Sequence, residues 1–211
     1  YLKNFQKLDV KLISISKDCH QYAIKELGLS SKQVHYIVNC INYKLFKGSV
    51  KTLNNSKIKL INVGRFVPKK AQEFLIDIAV ILKQKNIDFN LTFLGDGAEK
   101  SKVKSYAKLK GVDRLIYFKG VVTKPENYLK ESTLYVHSAK IEPLGLVLIE
   151  AMAAGLPVIT TDGLGNRDII EDGRNGYMIW KRDPQVFTDK IVEILSSAEQ
   201  YKAISEYAVK Y

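Results

Sequence analysis

From Lys57 onward the chain alternates short apolar runs with helical patterns, and several of the runs stop at a glycine. IKLINVG (residues 58–64) is the first such run, NLTFLGDG (90–97) holds the second, and LYVHSA (134–139) leads into a third loop that carries Gly145. This alternation constrains the fold more than any other feature. Runs that are apolar without a polar alternation are strands buried on both faces. The helical stretches between them are long enough to be crossovers joining parallel strands. The expected class is therefore α/β: a Rossmann-like parallel sheet with helices on both faces. In such sheets ligands gather beyond the carboxyl ends of the strands. Gly64, Gly95, Gly97, Gly120 and Gly145 each follow a strand. They can serve as simple turn residues, but on one edge they would also form a rim where backbone approaches a ligand closely.

The pattern predicts strands at 58–64, 89–94, 115–118, 134–136, 158–161 and 176–179. It predicts helices at 71–83, with Phe74, Leu75, Ile78, Ile81 and Leu82 inward, and at 99–110, with Val103, Tyr106, Ala107 and Leu109 inward. Further helices are expected at 125–131, 146–154, 167–172, 184–196 and 198–210. Ahead of this lie a strand at 9–16, a helix at 17–28 with Tyr22, Ala23 and Leu27 on one face, and a strand at 34–38. Residues 39–55, rich in Asn, Lys and Ser and without a period, read as a linker. The expected organisation is 1–56 as the end of a preceding domain plus linker, 57–196 as the Rossmann-like domain, and 197–211 as a C-terminal helix. The chain does not begin with Met, and the expectation is a fragment of something longer.

The formal net charge is +11, and the basic residues are 28 lysines against five arginines. Nucleic-acid surfaces favour arginine forks and interleaved aromatics. A lysine-biased solvated surface is the first reading, and a peripheral contact with an anionic membrane is the second. Nucleic acid comes third and is not an expected partner. No apolar run approaches the roughly 20 residues of a membrane-spanning helix. Cys19 and Cys40 form neither CxxC nor a metal spacing. They read as reduced thiols of a cytosolic protein, with a bridge between them left open.

Two places carry candidate chemistry. In GRFVPKK, Arg65 and Lys70 follow the first strand of the domain and lie on the ligand edge, where two cations beside a helix start suit a diphosphate, although taken alone they read first as solvated loop cations. In EPLGLVLIEAMAAG, Glu142 lies in a loop and Glu150 lies in a short apolar helix. A carboxylate in apolar surroundings needs hydrogen-bond donors, and sugar hydroxyls are such donors. A backbone or lysine partner would serve equally well. His137 reads as a core histidine or as a neighbour of the sugar, while His20 and His35 read as structural. GLGNRD (163–168) is not a dinucleotide fingerprint, since Asp168 replaces the third glycine. No Walker A and no Asp-x-Asp sequence occurs, so the site is expected to be metal-free, with no cofactor beyond its substrate.

GRFVPKK, FLGDGAEK, EPLGLVLIEAMAAGLPVI and DGLGNRDIIEDGRNGY, in that order, resemble the donor-binding half of the group 1 (family 4) retaining glycosyltransferases, which have the GT-B fold. The resemblance covers about residues 58–194, and VHYIVNCINYKLF is similar to the end of that family's acceptor half and its linker. Where the family usually has Pro-Asn-Gly, this chain has Val38-Asn39-Cys40. The resemblance implies that residues 1–56 end an N-terminal acceptor domain. It implies Arg65 and Lys70 as the diphosphate pair, Glu142 on the donor sugar, and Pro143, Leu144, Gly145, Leu146 and Val147 as backbone donors. It implies Glu150 on the ribose and Gly64, Val121 and Val122 near the nucleotide, with Glu142, Arg65 and Lys70 as the catalytic set. The substrates implied are a nucleotide sugar, with a UDP-sugar as first choice, and a sugar, glycan or lipid-linked acceptor. The implied setting is the cytoplasm, including the inner face of the membrane. Two other readings stay open: a nucleotide-sugar epimerase of the same fold, and a non-catalytic basic binding module.

Overall fold

The computed structural model describes residues 11–54 and 57–211. Two short strands, β1 (Leu12–Ser14) and β2 (Val34–Tyr36), pair in parallel, with helix α1 (Lys17–Lys25) between them in the chain. Residues 9 and 10 of the expected first strand lie outside the described residues. Ala23 is buried against Leu29 and Val34, whereas Tyr22 is exposed. The two are neighbours in sequence, about 100° apart around the helix, so one narrow stripe cannot bury both.

The stretch expected to be a plain linker has structure of its own. Helix α2 (Tyr43–Phe46) drives Phe46 into the main core, and Gly48 N–H then donates to Ala153 O at 2.9 Å. Lys51 N–H donates to Ser205 Oγ at 2.7 Å. The segment is thus a strap held across the domain.

The main sheet contains β3 (Ile58–Val63), β4 (Phe89–Leu94), β5 (Ile116–Gly120), β6 (Leu134–His137), β7 (Val158–Thr161) and β8 (Gly176–Ile179). Its order is β5-β4-β3-β6-β7-β8, with every pairing parallel. The crossover helices are α3 (Glu73–Gln84), α4 (Lys100–Leu109), α5 (Pro125–Glu131) and α6 (Leu146–Ala153), followed by α7 (Pro184–Ser196) and α8 (Ala198–Lys210). The strands sort their side chains by alternation, as the pleat requires. Leu60, Leu134, Val136 and Ile159 enter the core shared with α3, α4 and α7. Ile61, Tyr135 and Val158 enter the opposite core, shared with α5 and α6. Helix α8 contributes to both, through Tyr201 and Ile204 on one side and Ala208 on the other.

Three local expectations are corrected. Leu109 is exposed, because it sits two residues, about 200°, from Ala107 on the buried stripe of α4. The helix expected from residue 71 begins at Glu73: Pro68–Lys70 form a separate 3-10 turn, and Ala71 has φ +47° between the two. The helix expected at 167–172 is a 3-10 turn, Gly165–Asp168. There the Asn175 side chain takes over the backbone partners, accepting from Glu171 N–H and donating to Ile169 O, both at 2.9 Å.

Chain order reverses between β3 and β6. From β3 the chain builds outward through β4 and β5, then returns to β6 on the other side of β3. Such a switch point opens a crevice between the loops that leave the two strands.

Candidate functional site

The two loops at that crevice are stitched together by backbone and side-chain hydrogen bonds. Ser138 Oγ donates to Lys70 O at 2.9 Å, and Lys140 N–H donates to Lys69 O at 2.8 Å. Across the mouth, Lys70 Nζ forms an ion pair with Glu142 Oε2. Glu142 is buried and is gripped through its backbone by the loop after β7. Its N–H donates to Gly163 O at 2.7 Å, and its carbonyl accepts from Gly165 N–H at 2.9 Å. His137, the last residue of β6, sets Nε2 at 3.2 Å from the same Oε2. Burial alone would raise the Glu142 carboxyl. Hydrogen bonds from His137 and Lys70, together with the lysine charge, outweigh it and hold the group at about 2. Glu142 is therefore ionised at neutral pH. Both of its side-chain contacts fall on Oε2, and Oε1 makes no hydrogen bond among the described residues.

Helix α6 opens directly behind this carboxylate. Its first cap is Gly145 at φ +94°, and a Cβ there would meet the buried Asn166 Oδ1 at 3.0 Å. Only glycine suits this backbone, and a glycine cap brings no side chain to occupy the first N–H groups of the helix. Further along α6, the Glu150 carboxyl is half-buried and has no hydrogen-bond partner among the described residues. Desolvation raises it to about 7. It lies near enough to Tyr135 that the Glu142 and Glu150 charges add to burial in lifting the tyrosine hydroxyl well above its usual value.

A cavity of about 240 Å³ is lined by Lys70, Glu142 and the loop and helix start Pro143, Leu144, Gly145, Leu146 and Val147. Seven of the sequence-predicted residues thus share one wall. Arg65 is exposed and has no ion pair among the described residues, and Val121 is exposed on the loop after β5. Neither lines this cavity, nor do Gly64, Val122 or Glu150. Val122 packs instead against the core under α5 and α6. The loops after β3, β4 and β5 are joined nonetheless: Gly64 N–H donates to Leu94 O at 2.9 Å and Gly95 N–H to Gly120 O at 2.7 Å.

Two wall residues were missed by sequence reasoning. Ile15 and Asn39 reach the cavity from the N-terminal unit. They are there because Asp168 holds that unit: its Oδ2 accepts from Lys17 N–H, at the start of α1, at 2.6 Å. Nothing in local patterning could have placed residues more than 100 positions apart in one wall. A larger cavity, about 930 Å³, lies on the far side of Leu144 between the strap, α6 and the chain end. Its lining is mainly apolar, with Asp168 its one carboxylate, so the smaller cavity is the one equipped for chemistry. Among the described residues no group of three or more His, Cys, Asp or Glu could hold a metal ion, and no helix is long and apolar enough to cross a membrane. Cys19 and Cys40 are both free.

The profile of the family described as Glycosyl transferases group 1 matches residues 47–211. The chain belongs to this family. It is 29% identical over 170 residues to poly(ribitol-phosphate) alpha-N-acetylglucosaminyltransferase of Staphylococcus aureus, covering 80% of this chain and 34% of that protein. It is 31% identical over 137 residues to the putative glycosyltransferase EpsD of Bacillus subtilis, covering 65% of this chain and 36% of that protein. The chain therefore spans about a third of the length of these relatives. Among solved structures, Anabaena HepE in complex with UDP-glucose superposes with a TM-score of 0.87 at 20% identity, covering 99% of this chain and 60% of that one. The fold of this group 1 glycosyltransferase chain is accordingly a GT-B half.

Proposed function

We propose that this chain is the nucleotide-sugar-binding half of a retaining glycosyltransferase that takes a UDP-sugar and serves a polysaccharide or glycolipid acceptor. The observation that carries this reading is a carboxylate in the wall of the switch-point cavity and a second further along α6, each with acceptor capacity left unused among the described residues. Glu142 offers Oε1, and Glu150 has no donor among the described residues. Sugar and ribose hydroxyls are donors that would satisfy both. Glu142 takes the transferred sugar, Glu150 takes the ribose, and the open N–H groups of α6 face the phosphates. Arg65 and Lys70 neutralise the departing diphosphate, which is electrostatic stabilisation of a leaving group. The acceptor attacks from the face the diphosphate leaves, and no metal takes part. We place the protein in the cytoplasm, with the lysine-rich surface available to the inner face of an anionic membrane.

Calorimetry with UDP-, GDP- and ADP-sugars tests this directly. Binding of at least one at millimolar concentration or below is expected, and silence from all three would refute the reading. Arg65→Ala should weaken UDP by about tenfold while leaving uridine within about twofold. Equal losses for both would remove Arg65 from the diphosphate.

Glu150 supplies a pH signature. Its folded value lies above its unfolded one, so ionising it in the folded state is penalised. Stability should fall as pH rises from about 4.5 to about 7 and level off above. Because the carboxyl is half-exposed, the loss should be only about 1–2 kcal/mol. Ribose hydroxyls favour the ionised form, so UDP affinity should rise through the same window. Denaturation and titration of Glu150→Gln should show neither trend.

A further inference from the structure

Glu142 is held from behind by a buried relay that the reaction scheme above does not use. The His137 and Tyr135 rings stack with centroids 6.0 Å apart and 21° between planes. Tyr135 Oη lies 3.3 Å from His137 Nδ1 and donates to Val63 O at 3.2 Å. His137 Nε2 lies 3.2 Å from Glu142 Oε2, and both rings are closed off from solvent. Burial, helped by the charges of Lys70 and Arg182, keeps the imidazole neutral.

A neutral ring carries one N–H, and only the tautomer with that proton on Nε2 donates to the carboxylate. The opposite tautomer would set a lone pair against an anion. The Glu142 carboxylate at 3.2 Å is charged and is a stronger acceptor for the ring proton than the neutral Tyr135 hydroxyl, which keeps its own proton on Val63 O.

We propose that His137 is a positioning residue for the donor sugar: with its ring proton on Nε2, it pins Glu142 by Oε2 so that Oε1 faces the sugar hydroxyls. This rests on the nucleotide-sugar reading above, and its own consequence is separable from it. Lys70 alone would leave the carboxylate free to swing about a single flexible contact, whereas a second donor from a rigid ring fixes its plane.

The test compares UDP with UDP-glucose and UDP-N-acetylglucosamine by calorimetry on the full chain. His137→Phe keeps a buried ring but loses the donor. The ratio of sugar-nucleotide Kd to UDP Kd should rise by about tenfold, with UDP itself changed by less than about threefold. His137→Gln carries an amide donor near the place of Nε2 and should recover most of the ratio. An unchanged ratio in His137→Phe overturns the proposal, as does a failure of Gln to do better than Phe. If no nucleotide bound even the unsubstituted chain, the donor reading would fall first. Nitrogen NMR of the imidazole in the ligand-free protein then decides this proposal alone: Nε2–H is expected, and Nδ1–H overturns it.

Discussion

Replacing Lys70 with methionine is expected to remove more of the site than any other single change outside Glu142. Lys70 and Glu142 are both largely buried, with side chains 15% and 11% exposed. Their pairing keeps an anion in a place where burial opposes it. Breaking such a pair by removing one member leaves an uncompensated charge and costs about 3–5 kcal/mol when the site is fully closed. With water still reaching Glu142 Oε1, about 2–3 kcal/mol is expected. The Glu142 carboxyl should move up from about 2 towards the ordinary range. The sign of the pH dependence follows. A carboxyl whose folded value is depressed adds stability above its unfolded value near 4.5 and loses it as pH falls towards 2. In Lys70→Met part of that acid-side slope should disappear, because the lysine hydrogen bond and charge are lost while the His137 hydrogen bond stays.

The same substitution should weaken UDP by about a hundredfold, since a charge-assisted contact to a phosphate is lost and Glu142 remains to repel the ligand. Lys70→Met/Glu142→Gln removes the repulsion together with the cation. It should therefore regain stability relative to Lys70→Met while regaining little sugar-nucleotide affinity. Parallel chemical denaturation and calorimetry distinguish the two effects. A single variant with unchanged acid stability would show that the ion pair does not hold the carboxylate.

This dependence explains why some of the site was legible in the chain and some was not. Lys70 and Glu142 are 72 positions apart, but both follow strands, and a parallel sheet puts all strand exits on one edge. Alternation and glycine punctuation were enough to bring them to the same crevice. The identity of their partners was not legible. His137 reads from sequence as one polar residue in an apolar strand. Its meaning comes from the pleat, which turns it to the side where Glu142 folds back. Likewise, Ile15 and Asn39 join the cavity through long-range docking of the N-terminal unit, such as the Asp168 contact at the α1 start, which spans 151 positions. The strap is hidden in the sequence for a related reason. Its helix α2 is only four residues long, too short to show a period, and it is held by docking Phe46 against α6 rather than by intrinsic propensity.

That docking leads to the second large expected effect, at Gly155. The residue ends α6 at φ +83°, and a Cβ there would stand 2.2 Å from Ser49 O and 3.5 Å from Val209 Cγ2. Gly155→Ala therefore carries two penalties. The left-handed backbone costs an L-residue about 1 kcal/mol. The contact with Ser49 forces the strap off the C-terminal end of α6, breaking the Gly48 N–H to Ala153 O bond beside it. A loss of about 3–4 kcal/mol in chemical denaturation is expected from the sum. Gly173→Ala is the control for backbone strain alone, since it has φ +77° with its nearest outside atom, Tyr177 Cε1, at 3.9 Å. It should cost only about 1 kcal/mol. If the two alanine variants lose the same stability, the strap contributes nothing and is a tether. If Gly155→Ala loses the larger amount and also weakens UDP, the strap has a second role. It seats α6, and through α6 it sets the loop from Glu142 to Val147 that lines the cavity.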